Sequence, residues 1–400
     1  MESIGIMIKW RVEYWEENVG FMIYFDNSAT TKPNAAVLET YTKVASNYFA
    51  NPSSLHRFGA KSKELLDASR KQIAAMMSAL PEEIIFTSGG TEGNNLAIKG
   101  LVYSYQNRGK HIITSSIEHP SVRVVMEELE QEGFTVKYLP VDKNGVIKLE
   151  ELKAALTDET ILVSIMGVNN EVGSIQPLQE IGEMLSVLEN TFFHVDFVQA
   201  IGKIPLTLDA NSIDLLTFSG HKFHALRGTG ILFKRKNVHL HPEILGGGQE
   251  MGYRSGTENL AGNVALAKAL RLTLENEPRK EALIEIRDYL LTKIAQMSDM
   301  TVHTKQSVAA PHIVCFSAKG HRGEILVHAL EKEDIYISTT SACSSKQKLA
   351  SSTLKAMGVT DEEATGAVRV SLSYENRLSE AKIFIQKLQE IIENLNKVVK

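Results

Sequence analysis

From residue 57 to about residue 235 the chain alternates amphipathic helical stretches with short apolar runs, and this rhythm constrains the fold more than any other feature. Residues 61–79 place Leu66, Ile73 and Met77 at helical spacing beside Leu65 and Met76. Ile84-Ile85-Phe86 then reads as a strand that ends in Thr87-Ser88-Gly89-Gly90, and a second helix starts near Thr91. Further strand candidates are His111–Thr114, Val136–Leu139, Ile161–Ile165, Phe192–Val195, Leu215–Phe218 and Ile231–Phe233. Helical patterns such as Val122–Gln131 and Leu178–Leu188 separate several of them. Strands joined through helices imply crossover connections, so the expected class is α/β, with a mainly parallel sheet covered by helices on both faces. In such a sheet ligands bind at the carboxyl ends of the strands.

After about residue 270 the rhythm changes to a long charged helical stretch, 273–297, then a weaker mix of strands and helices, and finally a helix over 379–399 rich in Ile, Leu and Lys. With 400 residues, 43% of them hydrophobic, the chain is large enough for two domains. The expectation is a large α/β domain over 34–272 and a smaller α+β domain built from 22–33 and 273–400. Residues 1–21 look foreign to the rest: they hold both tryptophans, Trp10 and Trp15, and Met22 stands directly before Ile23-Tyr24-Phe25-Asp26-Asn27. They are expected to be an extension with no part in the chemistry. A net charge of −5 gives no global basic excess to suggest direct nucleic-acid binding. Only two cysteines, Cys315 and Cys343, argue against a disulfide scaffold and for a reducing compartment. No apolar run approaches the roughly 18–20 residues a membrane helix needs, so the expected location is the cytoplasm, without membrane association.

Four strand ends carry polar residues of chemical interest. Ser88-Gly89-Gly90-Thr91-Glu92 is a glycine-rich turn that opens a helix, and its free N–H groups and dipole suit a phosphate. Such turns are also ordinary connectors. Ser219-Gly220-His221-Lys222 puts a lysine at the end of a buried strand, where an ammonium is costly unless paired or converted to a Schiff base. His194-Val195-Asp196-Phe197-Val198-Gln199 ends a core strand in an aspartate that could keep a pyridinium nitrogen protonated. Glu118-His119-Pro120 offers an imidazole able to stack on a ring or move protons. Taken singly, each has a plain structural reading as a loop lysine, a capping aspartate or a packed histidine.

In this order, the segments resemble the cysteine desulfurases of the iron–sulfur-cluster type, within the class V aminotransferase-like enzymes that use pyridoxal 5′-phosphate (PLP). The resemblance spans roughly 22–390. It includes Tyr24-Phe25-Asp26-Asn27-Ser28-Ala29-Thr30-Thr31, Asn51-Pro52-Ser53-Ser54-Leu55-His56, Phe86 through Asn95, Val168-Asn169-Asn170-Glu171-Val172-Gly173, Arg254-Ser255-Gly256-Thr257 and Ser338-Thr339-Thr340-Ser341-Ala342-Cys343-Ser344. It implies a fold of the type I PLP-transferase class, with a mainly parallel sheet of the seven-stranded type. It also implies roles: Lys222 would hold PLP covalently and move the substrate Cα proton, Asp196 would pair with the pyridine nitrogen, Gln199 with the phenolic oxygen, and His119 would stack on the ring. Gly90, Thr91, Ser219 and His221 would hold the phosphate, joined by Thr257 from the second subunit of a homodimer. Asn170 and Arg369 would grip the substrate carboxylate, and Cys343 would take the sulfur as a persulfide, leaving L-alanine. No metal is implied. The persulfide would go to a sulfur-acceptor protein, either an iron–sulfur scaffold or a tRNA sulfurtransferase. Cys315, inside the apolar run Pro311–Phe316, is expected to be inert packing.

Four positions depart from the family pattern: Phe197 stands where a small residue is usual, Gly167 where many members have histidine, Ala225 where glycine is commoner, and Ala50 where glycine precedes Asn51-Pro52. If position 225 needs a positive φ, Ala225 is strained by roughly 1 kcal/mol. Two other readings share the same residues: a selenocysteine lyase or another class V PLP enzyme, and an inactive scaffold that binds sulfur-acceptor proteins.

Overall fold

The computed structural model describes residues 22–276, 279–340 and 351–399, so the expected extension 1–21 and Cys343 lie outside the described residues. After a short strand β1 (Ile23–Tyr24), the seven apolar runs become β2 (Ile84–Thr87), β3 (His111–Ser115), β4 (Thr135–Leu139), β5 (Thr160–Met166), β6 (Phe192–Asp196), β7 (Leu215–Ser219) and β8 (Gly230–Lys234). They form one sheet in the order β2-β8-β7-β6-β5-β3-β4. From β7 to β4 every neighbouring pair is parallel, and β8 alone runs against both its neighbours. The reversal has a geometric cause. Only residues 220–229 separate β7 from β8, and a parallel return needs a crossover of about a dozen residues or more.

Successive residues of the central strands point to opposite faces. Ile113, Val163 and Leu216 enter the core beneath helices Ala35–Asn47, Arg57–Met76 and Leu260–Glu275, while Ile112, Leu162 and Leu215 enter the core beneath helices Gly90–Tyr105 and Pro120–Gln131. Both faces being covered explains why these strands read as unbroken apolar runs rather than as alternating ones.

The charged stretch 273–297 is not one helix. The helix ending at Glu275 is capped by Asn276, and a separate helix spans Lys280–Ala295. Pro278 lies between them in the sequence, and proline cannot continue the hydrogen-bond ladder of a helix. Beyond it come β9 (Met300–Val302), β10 (Ile313–Ala318), β11 (Ile335–Tyr336), β12 (Ser338–Thr339) and β13 (Ala367–Ser371). β12, β13, β10 and β9 make an antiparallel sheet, and β11 pairs in parallel with β1. Ile23 and Phe25 pack into the core of this part, where Phe25 meets Phe384 of the last helix (Leu378–Val399) edge to face at 5.8 Å. Among the described residues no helix is long and apolar enough to cross a membrane.

Candidate active site

The ends of β5, β6 and β7 open on a cavity of about 270 Å³. Helix Gly90–Tyr105 begins at its wall, where Gly90 and Thr91 present the first N–H groups of the helix, which have no acceptor within it. A Cβ on Gly90 would stand 2.9 Å from Val198 Cγ2 and 3.4 Å from Ser219 Cβ, so only bare backbone keeps this wall open. Ser219 and His221 line the same cavity. Burial, with the nearby charges of Lys222 and Arg227, pushes His221 down to about 4, so its imidazole is neutral at pH 7.

Lys222 also lines the cavity, in a single 3₁₀ turn, Gly220–Lys222, that closes β7. Its ammonium donates to the carbonyls of Ser28 and of Ala29, the latter at 3.0 Å. Two residues on, His224 takes a φ of 64°, and this turn is fastened by its N–H to Thr31 Oγ1 (2.8 Å) and its ring Nδ1 to the Lys32 carbonyl (2.9 Å). The positive φ therefore falls on His224 and not on Ala225, which lies buried against Gly220 without that strain.

Asp196 ends β6. Its Oδ1 accepts from the Val198 N–H (3.0 Å) and its Oδ2 from Asn94 Nδ2 (2.8 Å). His119 caps helix Pro120–Gln131 through Nδ1, which accepts from the Ser121 N–H (3.2 Å) and lies 2.8 Å from Ser121 Oγ. An accepting Nδ1 assigns the ring proton to Nε2. Burial holds this imidazole below its ordinary value, opposed by Asp196 and reinforced by Lys222. Gln199 lines the cavity and donates to the Ser28 carbonyl at 3.0 Å, the acceptor it shares with Lys222.

Asn170 lines the cavity and Arg369, on β13, stands behind it, with Nη1 donating to the Asn170 carbonyl (2.8 Å) and Nη2 to Asp26 Oδ1 (3.1 Å) and Ser338 Oγ (2.9 Å). Arg369 Nε is buried with no partner among the described residues. Thr257 is not brought into this cavity; it borders a separate hollow of about 150 Å³ with Ser88 and Arg254. Arg254 is paired at 2.8 Å with Glu92, which also accepts from the Ser88 N–H at the start of the phosphate-suited helix. Cys315 is fully buried on β10, and burial pushes its thiol far above the ordinary range.

Phe197 and Gly167, two departures from the family pattern, turn out to be one arrangement. The Phe197 ring is 1% exposed, meets Phe218 edge to face at 5.9 Å, and its Cδ2 stands 3.0 Å from where a Cβ on Gly167 would be. The large side chain fills the room that a side chain at 167 would occupy. Gly167→His alone should therefore destabilise the protein by roughly 1–3 kcal/mol through overpacking, and Phe197→Ala alone by roughly 3–5 kcal/mol through a void. In urea unfolding the double variant should be more stable than the sum of the single losses predicts; strict additivity would dismiss the pairing.

Sequence reasoning missed Asn94, Ser121 and Glu118 as site residues. Asn94 is fully buried one turn into helix Gly90–Tyr105, and the only local signal was a pair of poor helix formers after a glycine, Gly93-Asn94-Asn95. Glu118 accepts from Ser115 Oγ (2.5 Å) and the Met166 N–H (3.0 Å), while its Oε2 has no partner among the described residues. Burial raises its carboxyl from 4.5 to about 8, those two donors opposing and Asp196 reinforcing the shift. A raised folded value means that the stability contributed by the bound proton is complete below 4.5 and is lost as pH climbs towards about 8. Glu118→Gln carries no such proton. Its melting temperature relative to wild type should rise from about pH 6 to about pH 8, and a constant difference would refute the neutral carboxyl.

These groups fit PLP on observations of the chain itself: helix N–H groups and hydroxyl and imidazole donors for a phosphate, a doubly held carboxylate for a ring nitrogen, a neutral imidazole beside the cavity, and an amine for the aldehyde. Comparison with known proteins agrees. Residues 23–384 match the aminotransferase class-V family. A NifS/IcsS protein homolog of Lactobacillus delbrueckii subsp. bulgaricus is 51% identical over 380 residues, covering 94% of this chain and 99% of the relative. Cysteine desulfurase IscS of Dictyoglomus turgidum is 40% identical over 378 residues, covering 94% and 96%. A solved NifS-like protein superposes with a TM-score of 0.88 at 37% identity, covering 93% of this chain and 99% of that one. The chain belongs to the class V aminotransferase family, in its PLP-dependent cysteine desulfurase branch.

Proposed function

We propose that this cavity removes sulfur from L-cysteine, giving L-alanine and a persulfide on Cys343. The observation that carries the reading is the convergence of Lys222, Asp196, His119 and the Gly90-Thr91 helix start in one cavity. When bound, PLP supplies an electron-poor ring that takes up negative charge developed at the substrate Cα. Gly90, Thr91, Ser219 and His221 would hold its phosphate, Asp196 its ring nitrogen and Gln199 its phenolic oxygen, with His119 beside the ring. Lys222 Nζ would hold the cofactor through its aldehyde and would accept the proton from the substrate Cα.

Asn170 and Arg369 hold the substrate carboxylate, Asn170 from the cavity wall and Arg369 from behind it. The Cys343 thiolate then attacks the substrate sulfur. An S–S bond forms and the Cβ–S bond breaks; Cβ is reduced to the methyl group of alanine, the sulfur pair is oxidised to a persulfide, and no outside oxidant is needed. The segment that carries Cys343 leaves from β12, whose Ser338 accepts from Arg369, and re-enters at Ser351, whose hydroxyl donates to Glu171 beside Asn170. One end is thus fastened at Arg369 and the other at Glu171, the chain neighbour of Asn170, which supports Cys343 as the acceptor.

The active unit is a homodimer in which Thr257 completes the phosphate site of the other subunit. Its absence from the cavity of its own chain supports this, as do the exposed apolar side chains Phe49, Leu55, Leu245 and Met251. The persulfide passes to an acceptor protein, an iron–sulfur scaffold or a tRNA sulfurtransferase. The test is made on purified, PLP-loaded protein given L-cysteine and a thiol reductant. Equal amounts of alanine and sulfide are expected, and a protein that binds PLP yet forms no alanine would sink the reading in favour of a scaffold.

A further inference from the structure

Asn94 stands between two groups assigned to the PLP ring. Its Nδ2 donates one hydrogen to Asp196 Oδ2 (2.8 Å) and the other to Ser121 Oγ (2.9 Å). His119 Nδ1 already accepts from the Ser121 N–H and so carries no proton, and Ser121 Oγ, 2.8 Å away and accepting from Asn94, donates its hydrogen to that nitrogen. The chain of contacts therefore runs from the carboxylate to the imidazole through one amide and one hydroxyl. Its direction is fixed. Turning the Asn94 amide over would set a carbonyl oxygen against the Asp196 carboxylate, so the amide stays with both hydrogens committed. The cost is visible at its other atom: Asn94 Oδ1 is buried with no partner among the described residues. Gly93 lets the helix come this close, because a Cβ there would stand 2.7 Å from Thr217 Cγ2 on β7.

We infer that Asn94, with Ser121, is a positioning residue that fixes the Asp196 carboxylate and the His119 imidazole relative to one another, so that the PLP ring meets both already oriented. This rests on the roles given to Asp196 and His119 above. Asn94 touches neither substrate nor cofactor. It acts through Asp196 on one side, and on the other keeps His119 as the tautomer with its proton on Nε2.

The test uses apo-protein titrated with PLP, with cofactor absorbance as the readout and the melting temperature of the apo-protein as a folding control. Asn94→Ala should weaken PLP binding about ten- to a hundredfold, the range for one hydrogen bond to a charged group. Asp196→Asn should also weaken it, and in the double variant the two losses should not add, because both act on the same contact. Ser121→Ala should shift the pH at which the visible band of the bound cofactor titrates, and Ser121→Thr, which keeps the hydroxyl, should restore it. If Asn94→Ala does not fold, the Ser121 pair alone decides the matter. PLP binding as in wild type for Asn94→Ala, additive losses, or an unshifted titration for Ser121→Ala would overturn the inference. Unchanged PLP binding in Asp196→Asn would instead overturn the placement of the ring nitrogen, and with it the reading of the cavity.

Discussion

Alanine formation from L-cysteine is expected to fall by about four orders of magnitude or more in Lys222→Ala, because one side chain supplies both the cofactor anchor and the proton acceptor. The variant should still fold. Among the described residues it loses a donor to the Ser28 and Ala29 carbonyls, and Ser28 keeps its bond from Gln199. Its melting temperature should therefore stay close to that of wild type, and the visible band of lysine-bound cofactor should be absent from the spectrum. One outcome would redirect the assignment. Residual activity above about a hundredth of wild type would mean that another amine can serve. The neighbour to suspect is Lys203, which borders the same small recess as Lys222 and whose ammonium burial pushes down to about 7. Borohydride reduction of the loaded variant, followed by peptide mapping, would then find the label on Lys203.

The second large effect belongs to Cys343→Ala. This variant should bind PLP and show the wild-type spectrum, yet form alanine about a thousandfold more slowly and carry no persulfide. The contrast with Lys222→Ala separates the two halves of the reaction, cofactor attachment and sulfur acceptance. The chain has only one other cysteine, and it cannot stand in: Cys315 is sealed within β10 and its thiol is held protonated by burial. Alanine formed at the wild-type rate in Cys343→Ala would favour a lyase that needs no protein thiol, and selenocysteine would then be the substrate to compare.

Six of the seven strands of the large sheet were legible because strands covered on both faces are largely unbroken apolar runs, whereas the edge strand β4 alternates exposed and half-buried residues. The direction of β8 was not, since it depends on the length of the link from β7 rather than on anything in the strand itself. In the site, residues at strand ends were legible for a similar reason: a lysine or aspartate that closes an apolar run contrasts with its surroundings. Asn94 carries no such contrast. Its importance lies in partners 27 and 102 positions further along the chain, and no local pattern records those distances. Ala225 stands where glycine is commoner and would be strained if that position needed a positive φ, and only the backbone reveals that His224 takes it instead. Phe197 looked like a misfit for a related reason. A sequence displays positions singly, whereas the space it fills is shared with Gly167.

That shared space restricts the history by which such a chain can arise from a relative with histidine at 167 and a small residue at 197. Had the phenyl ring come first, it would have had to enter a volume already held by an imidazole, in a core without slack. Had the glycine come first, it would have left an apolar void beside Phe218 and Ala200 until a larger side chain followed. Either order passes through a protein less stable than this one, by roughly 1–3 kcal/mol when the ring comes first and roughly 3–5 kcal/mol when the glycine does. Grafting residues between members of the family should therefore move positions 167 and 197 together.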